Sequence, residues 1–183
     1  METYVCDPNL EVMGFIPLAF FGNLQSEVLK PILDELGLDI SQFEPEGWYK
    51  AQSVLDILQK LQGSKEAMFT YVAFGKRAAE TAYLPPETVS MGIGDFLVNF
   101  EKLFPQRYRN GSPGYVHVQK IDDHSVVISY NIPYPVDVFY GMFYGYCRRL
   151  LPKGTQFTVV YEPGVKRRDD GGSETVLRIS WKS

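Results

Sequence analysis

The stretch 131–154 constrains the fold most, because its prolines and glycines fix where one helix begins and ends. Pro135 suits the first turn of a helix, where no amide donor is needed, and Pro152 and Gly154 predict its end. The apolar residues between them share one face, at spacings of four, three, four and three: Val136, Tyr140, Phe143, Cys147 and Leu150. That face is widened by Phe139, Met142 and Tyr146. We therefore predict a central helix over 135–151.

Gly141 and Gly145 lie one turn apart in this helix and leave its backbone bare, so another element or a ligand can approach closely. Each mid-helix glycine costs roughly 1 kcal/mol relative to alanine, which something must offset. Two interpretations follow. The helix is a buried core element packed tightly on a sheet, or its aromatic face lines a ligand cavity. Both require the helix to be central.

Upstream of this helix, the periodicity predicts a helical part over about 24–104. Its helices span 26–36, 48–62, a segment from an N-cap at Ser64 to the prolines at 85–86, and 89–103. Residues 1–10 are predicted to be a loose arm, and 13–21 a strand or a buried segment. In the third helix, one face carries the small residues Gly75, Ala79 and Ala82, so another helix can pack closely there.

Downstream of the turn cluster at 109–114, the pattern changes to strands. Four strands are predicted, at 115–121, 125–131, 156–161 and 175–181, with an exposed loop over 163–173. The fold class is therefore α+β, with N-terminal helices packed on an antiparallel sheet of about four strands in the order β-β-α-β-β. The whole chain, 1–183, is predicted to be a single domain, with the sheet and the central helix in about 114–182.

Composition and charge restrict the partners. The net charge of −4 argues against nucleic acid, because phosphate binding requires a basic face. Cys6 and Cys147, the two cysteines, form no disulfide framework, which favours a reducing compartment. The amino terminus lacks a signal-peptide layout, and no apolar run reaches the length of a membrane span. We predict a cytoplasmic protein with no membrane insertion.

Few residue patterns in this chain indicate catalysis. There is no glycine-rich phosphate loop followed by Lys-Ser/Thr, no dinucleotide fingerprint, and no cysteine or histidine pair with metal-ligand spacing. The prediction is therefore that the chain is not an enzyme. His117 is either a half-buried strand histidine or a polar group that faces a pocket, and His124 is predicted to be solvated. Arg107 and Arg109 flank Tyr108 either in an exposed turn or as a pair that recognises an anion.

The layout around the central helix resembles the 4-vinyl-reductase-type sensor domains, which are related in fold to haem nitric-oxide-binding domains and to small subunits of the TRAPP vesicle-tethering complex. Segment 134–141 reads Tyr-Pro-Val-Asp-Val-Phe-Tyr-Gly, where relatives often have Tyr-Pro-Cys-Asp-Phe-Asp-Tyr-Gly. The other matching features are Arg148-Arg149, Pro152-Lys153-Gly154, Lys166-Arg167-Arg168, Gly171 to Thr175, Trp181, and upstream Trp48-Tyr49, Phe74-Gly75-Lys76 and Tyr108 to Gly111. The resemblance covers roughly 45–182.

The departures from this family bear on cofactors. Val136 and Thr175 stand where relatives have cysteines, and the basic loop 165–168 contains none. Similar domains use those cysteines for metal, often zinc, for which valine and threonine are unsuitable ligands. The Tyr-X-Ser-X-Arg motif that binds haem propionates in the haem-containing relatives is also missing. No metal is expected, and haem is disfavoured.

We therefore predict a non-enzymatic sensory or ligand-binding domain that holds a small hydrophobic or aromatic molecule between the central helix and the sheet and signals through a protein partner or a homodimer. The predicted ligand-binding residues are Tyr140, Phe143, Tyr144 and Cys147, with Phe69, Phe74 and Trp48 from upstream segments. One alternative is a ligand-free, dimeric interaction module. The other is a haem-based gas sensor.

Overall fold

Helices occupy the N-terminal half and the main sheet the C-terminal half. The computed structural model describes residues 4–22, 24, 26–63 and 71–182. Its α-helices are α1 (Phe15–Phe21), α2 (Ser26–Leu36), α3 (Ala51–Gly63), α4 (Tyr71–Thr81), α5 (Pro86–Ser90), α6 (Ile93–Leu103) and α7 (Val136–Leu150). Its strands are β1 (Glu11–Met13), β2 (Trp48–Lys50), β3 (Tyr108–Arg109), β4 (Tyr115–Asp122), β5 (Ser125–Asn131), β6 (Phe157–Tyr161) and β7 (Thr175–Trp181). The predicted α+β class is confirmed.

The main sheet has the order β4-β5-β7-β6, and every neighbouring pair is antiparallel. Alternate residues of its central strands point to the core, where Val126, Ile128, Leu177 and Ile179 are fully buried. Helix α7 joins β5 to the edge strand β6, and β7 then returns between them. The predicted order β-β-α-β-β is thus observed, with α7 as the crossover.

A second, smaller sheet with the order β2-β1-β3 was not predicted. Its strands are two or three residues long, too short to show a periodic pattern. Trp48 pairs with Met13 in this sheet, so the predicted helix 48–62 was wrong at its start and begins instead at Ala51. Most of segment 13–21 is the helix α1, so its interpretation as a strand was wrong and the alternative of a buried segment is the closer one.

The predicted loose arm is wrong for the part that the structure describes, residues 4–10. Tyr4 and Leu10 are buried, at 5% and 0% exposure. The Gln52 side chain accepts a hydrogen bond from the Cys6 amide at 3.1 Å and donates one to the Tyr4 carbonyl at 3.0 Å. These long-range bonds hold the segment against α3, and no local sequence pattern reports them.

Glycines on both helices allow α4 and α7 to pack closely. A Cβ on Gly75 would lie 1.8 Å from the Val138 carbonyl oxygen, and one on Gly141 would lie 2.0 Å from the carbonyl oxygen of Val72. A Cβ on Gly145 would lie 2.8 Å from the Ala79 Cβ. The prediction that another helix packs against the small face of α4 is confirmed. The bare backbone of α7 therefore serves a neighbouring helix.

Helix α7 is central, as predicted, with the sheet, α4 and α6 around it. Its buried residues include Val136, Phe139, Met142, Phe143, Tyr146 and Cys147. At its C-terminal end, Arg149 donates hydrogen bonds to the carbonyl oxygens of Ala79, at 2.9 Å, and Ala82, at 2.6 Å. A cation at these carbonyls satisfies the free acceptors at the end of α4. None of the helices in the described ranges is long and apolar enough to cross a bilayer.

Candidate functional site

Two of the predicted ligand-binding residues lie against the edge strand β6. The Tyr140 hydroxyl donates to the Val159 carbonyl oxygen at 2.9 Å, and its ring centroid is 5.2 Å from that of Tyr161. The Tyr144 ring centroid is 5.0 Å from that of Phe157. Both tyrosines are half-buried. Their rings therefore occupy the boundary between α7 and the sheet, where the sequence analysis placed a ligand.

Phe143 and Cys147, one turn apart on α7, are fully buried. The Phe143 ring centroid lies 5.6 Å from that of Phe100 and 6.3 Å from that of Tyr130. Burial raises the pKa of the Cys147 thiol to about 12, so this thiol stays protonated at neutral pH and is a poor nucleophile and metal ligand. On this side of α7, side chains of the protein fill the space.

Of the three remaining predicted ligand-binding residues, two lie on elements other than α7 and one lies outside the described residues. Phe74 is buried on α4 and borders a surface groove of about 350 Å³. Trp48 lies in the small sheet, where the Arg109 guanidinium is 4.5 Å from its ring centroid. Phe69 lies outside the described residues. Ligand binding by these seven residues stays a prediction, and they do not share one cavity.

An apolar cavity of about 50 Å³ lies between α7, α1, α4 and α6. We call it the inner cavity. Its wall on α7 is formed by Phe139, Met142 and Tyr146, the residues that the sequence placed at the margin of the apolar face. The other lining residues are Phe15, Ile16, Ala19, Phe20, Ala78, Ala82, Phe100, Phe104, Arg107, Tyr108 and Tyr134. The helical spacing identified the right helix, but it did not identify which face borders space.

The inner cavity contains a buried hydroxyl without a partner. Tyr134 is 1% exposed, and among the described residues no atom is in hydrogen-bonding geometry with its hydroxyl. Burial is the main cause that raises the pKa of Tyr108 to about 12 and the pKa of Tyr134 well above its usual value. The two hydroxyls also influence each other's pKa, so they lie near one another without meeting strict hydrogen-bond geometry.

A larger outer groove, of about 530 Å³, adjoins the inner cavity. Phe15, Phe100 and Arg107 line both spaces. The Arg107 guanidinium lies 4.8 Å from the Phe15 ring centroid, in cation–π geometry. This pair therefore stands at the boundary between the groove and the cavity. Both side chains are half-buried.

The basic loop around 165–168 makes polar contacts with the start of α7. This is the loop that contains a cysteine in the resembling family. The Asp169 carboxylate accepts from the Val136 amide at 2.8 Å, and the Thr175 hydroxyl accepts from the Arg168 amide at 3.0 Å. The Arg168 guanidinium also donates to the carbonyl oxygens of Ile132 and Tyr134. We call this set the loop clamp. Most of the predicted exposed loop over 163–173 is exposed, but the Arg168 side chain is only 17% exposed because it reaches the start of α7.

His117 is exposed on the sheet, whereas His124 borders a surface groove of about 450 Å³. The His117 side chain is 65% exposed and lies 3.1 Å from a Glu101 carboxylate oxygen. Both interpretations of His117 given by the sequence, half-buried or facing a pocket, were therefore wrong. His124 lies at the turn between β4 and β5 and contacts Trp181, with ring centroids 6.3 Å apart. Within the described residues, no group of three or more His, Cys, Asp and Glu side chains could hold a metal ion.

No family model matches this chain, and no curated protein does. Solved structures do. An oxygen-binding H-NOX domain related to soluble guanylate cyclases, in its oxygen complex, is 16% identical, with 93% of each chain covered and a TM-score of 0.69. An H-NOX structure used to probe the function of haem distortion has 16% identity, 93% coverage of each chain and a TM-score of 0.70. A T. tengcongensis H-NOX mutant has 16% identity, coverage of 92% of this chain and 94% of the other, and a TM-score of 0.66.

This likeness shows that the chain has an H-NOX-like fold. The sequence resemblance implied this fold, because haem nitric-oxide-binding domains were among the fold relatives that it named. At 15–16% identity it does not carry a ligand from those proteins to this chain. The relation to 4-vinyl-reductase-type and vesicle-tethering proteins remains a resemblance of motifs.

Haem, which the fold suggests, does not fit the inner cavity. The described residues that line it include neither histidine nor cysteine; methionine and tyrosine, which also serve as axial ligands in some haem proteins, are present. Its volume of about 50 Å³ is far too small for a macrocycle. For scale, a cavity of roughly 150 Å³ is needed to hold benzene.

Proposed function

We propose that this chain is a non-enzymatic sensory or ligand-binding domain that holds a small, mainly apolar molecule in the inner cavity. The observation that carries the proposal is an apolar space in the core that is bordered by the central helix and shares lining residues with a surface groove. In this proposal Phe139, Met142 and Tyr146 form the α7 wall of the site, in place of the predicted Tyr140, Phe143, Tyr144 and Cys147. Catalysis has no support in the residues that line this space.

The movable wall of the cavity is α1. Helix α7 is held by the glycine contacts with α4 and by the sheet, so it resists displacement. By contrast, α1 has seven residues, and Phe15, Ile16 and Ala19 are only half-buried. A ligand larger than the cavity would therefore displace α1 first. Displacement of this surface helix is a means of passing the occupancy of the site to a protein partner or to a second copy of the chain.

Xenon is a suitable first probe, because it enters dry apolar cavities. We expect xenon to shift the methyl NMR signals of Met142 and Ala78, which both line the cavity. Ala78→Leu should fill the space and abolish the shifts. Ala73→Leu is the matched control, because Ala73 is on the same helix but borders a different groove. Equal xenon responses in the two variants, or no response in the wild type, would refute the proposal.

The haem alternative has a direct test. Because the cavity provides neither room nor an axial histidine, we expect the purified protein to show no Soret band and to gain none on titration with haem. A stoichiometric Soret band that Ala78→Leu removes would establish haem binding at this site and overturn our assignment of the ligand class.

A further inference from the structure

The Tyr134 hydroxyl is the least expected group in the core. Its residue is 1% exposed, and no described residue meets strict hydrogen-bond geometry with it, although the Tyr108 hydroxyl is near enough for a weak bond to affect the pKa of both phenols. Leaving a buried hydroxyl unpaired is unfavourable, and native proteins rarely do so without a ligand, a water molecule or a functional reason. The other buried tyrosine next to α7, Tyr130, follows the usual rule, because its hydroxyl donates to the Val136 carbonyl oxygen at 3.1 Å.

Tyr108 approaches Tyr134 in the same cavity wall, with ring centroids 6.5 Å apart. Two phenols carry two O–H donors. If one donates to the other, one donor of the pair is still free. If both turn toward the cavity, two donors are available to a single acceptor. In the second arrangement, the pair presents two O–H donors to the cavity.

The other residues that line the inner cavity also favour a ligand with a hydrogen-bond acceptor. No aspartate or glutamate is found among the described residues that line the inner cavity, and Arg107 contributes a guanidinium. Burial raises the pKa of Tyr108, while the Tyr134 hydroxyl and the Arg107 charge oppose that rise. The cavity is thus apolar, with donors at one end.

We propose that the Tyr108 and Tyr134 hydroxyls bind the carbonyl oxygen of a small ketone or aldehyde, whose apolar body packs on Phe139 and Met142. A carbonyl oxygen has two lone pairs, which match two phenol donors, and it carries no charge. This inference rests on the proposed function and specifies the chemistry of its ligand.

A neutral carbonyl fits better than a carboxylate. A buried carboxylate needs a paired and hydrogen-bonded cation. Arg107 is the single cation in the described lining, and its guanidinium lies against the Phe15 ring at the mouth of the cavity. The volume of about 50 Å³ restricts the ligand to a few non-hydrogen atoms unless α1 moves.

Acetone and isobutene form a matched pair of probes, because they have nearly the same shape and only acetone has an acceptor. We expect both to shift the Met142 methyl signal, with acetone bound more tightly. Tyr134→Phe should weaken acetone about fivefold, the effect of one hydrogen bond, and leave isobutene unchanged. Tyr130→Phe is the control, because that phenol has a protein partner and does not line the cavity. The carbonyl carbon shift of bound acetone should move downfield in the wild type and less so in Tyr134→Phe.

Each contrary outcome has a distinct meaning. If isobutene binds as well as acetone and Tyr134→Phe changes neither, the carbonyl inference fails while the apolar site stands. If acetate displaces acetone and Arg107→Gln abolishes that effect, the ligand is an anion and the inference is wrong. A crystal structure with acetone present in which a water molecule still bridges the two phenols would also overturn it. If xenon, isobutene and acetone all fail to bind, the proposed function fails with the inference.

Discussion

The two sides of α7 differ in how completely they are filled. At Gly141 and Gly145 the α7 backbone packs directly on α4, and on other faces of the helix the Phe143 and Cys147 side chains are fully buried. Toward α1, the same helix borders the inner cavity, where no residue that the structure describes is in hydrogen-bonding geometry with the Tyr134 hydroxyl. The sequence offered a packed core helix and a cavity-lining helix as alternatives. The structure assigns one role to each side, so a rigid side can hold the helix while the other side binds.

The largest effect should come from the glycine contact between the helices. Gly141→Ala places a Cβ 2.0 Å from the Val72 carbonyl oxygen, so α4 and α7 must separate. We expect a loss of about 4 kcal/mol or more in the free energy of unfolding, measured by urea denaturation. Gly94→Ala is the control, since its Cβ would lie 3.6 Å from the nearest atom, and it should be neutral or slightly stabilising. Equal effects would show that the glycines do not fix the packing.

Truncating a side chain to alanine should cost different amounts of unfolding free energy at the filled face of α7 and at the face that borders the cavity. Phe143→Ala opens a cavity on the filled side and should cost about 4 kcal/mol. Met142→Ala enlarges a space that already exists and should cost about 2 kcal/mol, while it increases the affinity for apolar probes larger than xenon. Both values come from chemical denaturation. A larger loss for Met142→Ala than for Phe143→Ala would contradict the distinction between the two sides.

The loop clamp tests how the cavity side is held in position. Arg168→Ala removes two bonds to backbone carbonyl oxygens, one of them at Tyr134, and should cost about 2 kcal/mol. It should also weaken acetone binding, because the Tyr134 phenol loses its fixed position. Arg148→Ala, at an exposed position of α7, should change the free energy of unfolding by less than about 0.5 kcal/mol. A clamp variant with normal stability and normal binding would show that the loop has no role at the site.

The smallest expected effect is a difference in stability between Tyr130→Phe and Tyr134→Phe. Tyr130→Phe removes a partnered hydroxyl, leaves the Val136 carbonyl oxygen with one bond fewer, and should cost about 1 kcal/mol. Tyr134→Phe removes an unpartnered hydroxyl and should be neutral or stabilising by up to about 1 kcal/mol in the absence of ligand. Thermal unfolding of the two variants side by side checks the difference. A clear loss of stability in Tyr134→Phe would reveal a partner for its hydroxyl.

The sequence predicted the elements whose signals are local. The glycines and prolines around 135–154 fixed the central helix, and alternation fixed the strands of the main sheet, because helix ends and strand faces depend on neighbouring residues. The small sheet and the packed segment 4–10 were missed, since they depend on pairings such as Met13 with Trp48 that are distant in sequence. The seven predicted site residues were drawn mainly from one apolar face, and periodicity does not report which face meets empty space.

The sequence by itself determined an α+β chain with a glycine-containing aromatic helix at its centre. Tertiary structure alone decided that α4 covers Gly141 and Gly145, that the cavity opens toward α1, and that the Tyr134 hydroxyl is left without a partner. The physical reason is that a cavity and an unpaired donor are properties of what surrounds a residue. Those surroundings are assembled from helices and strands far apart along the chain.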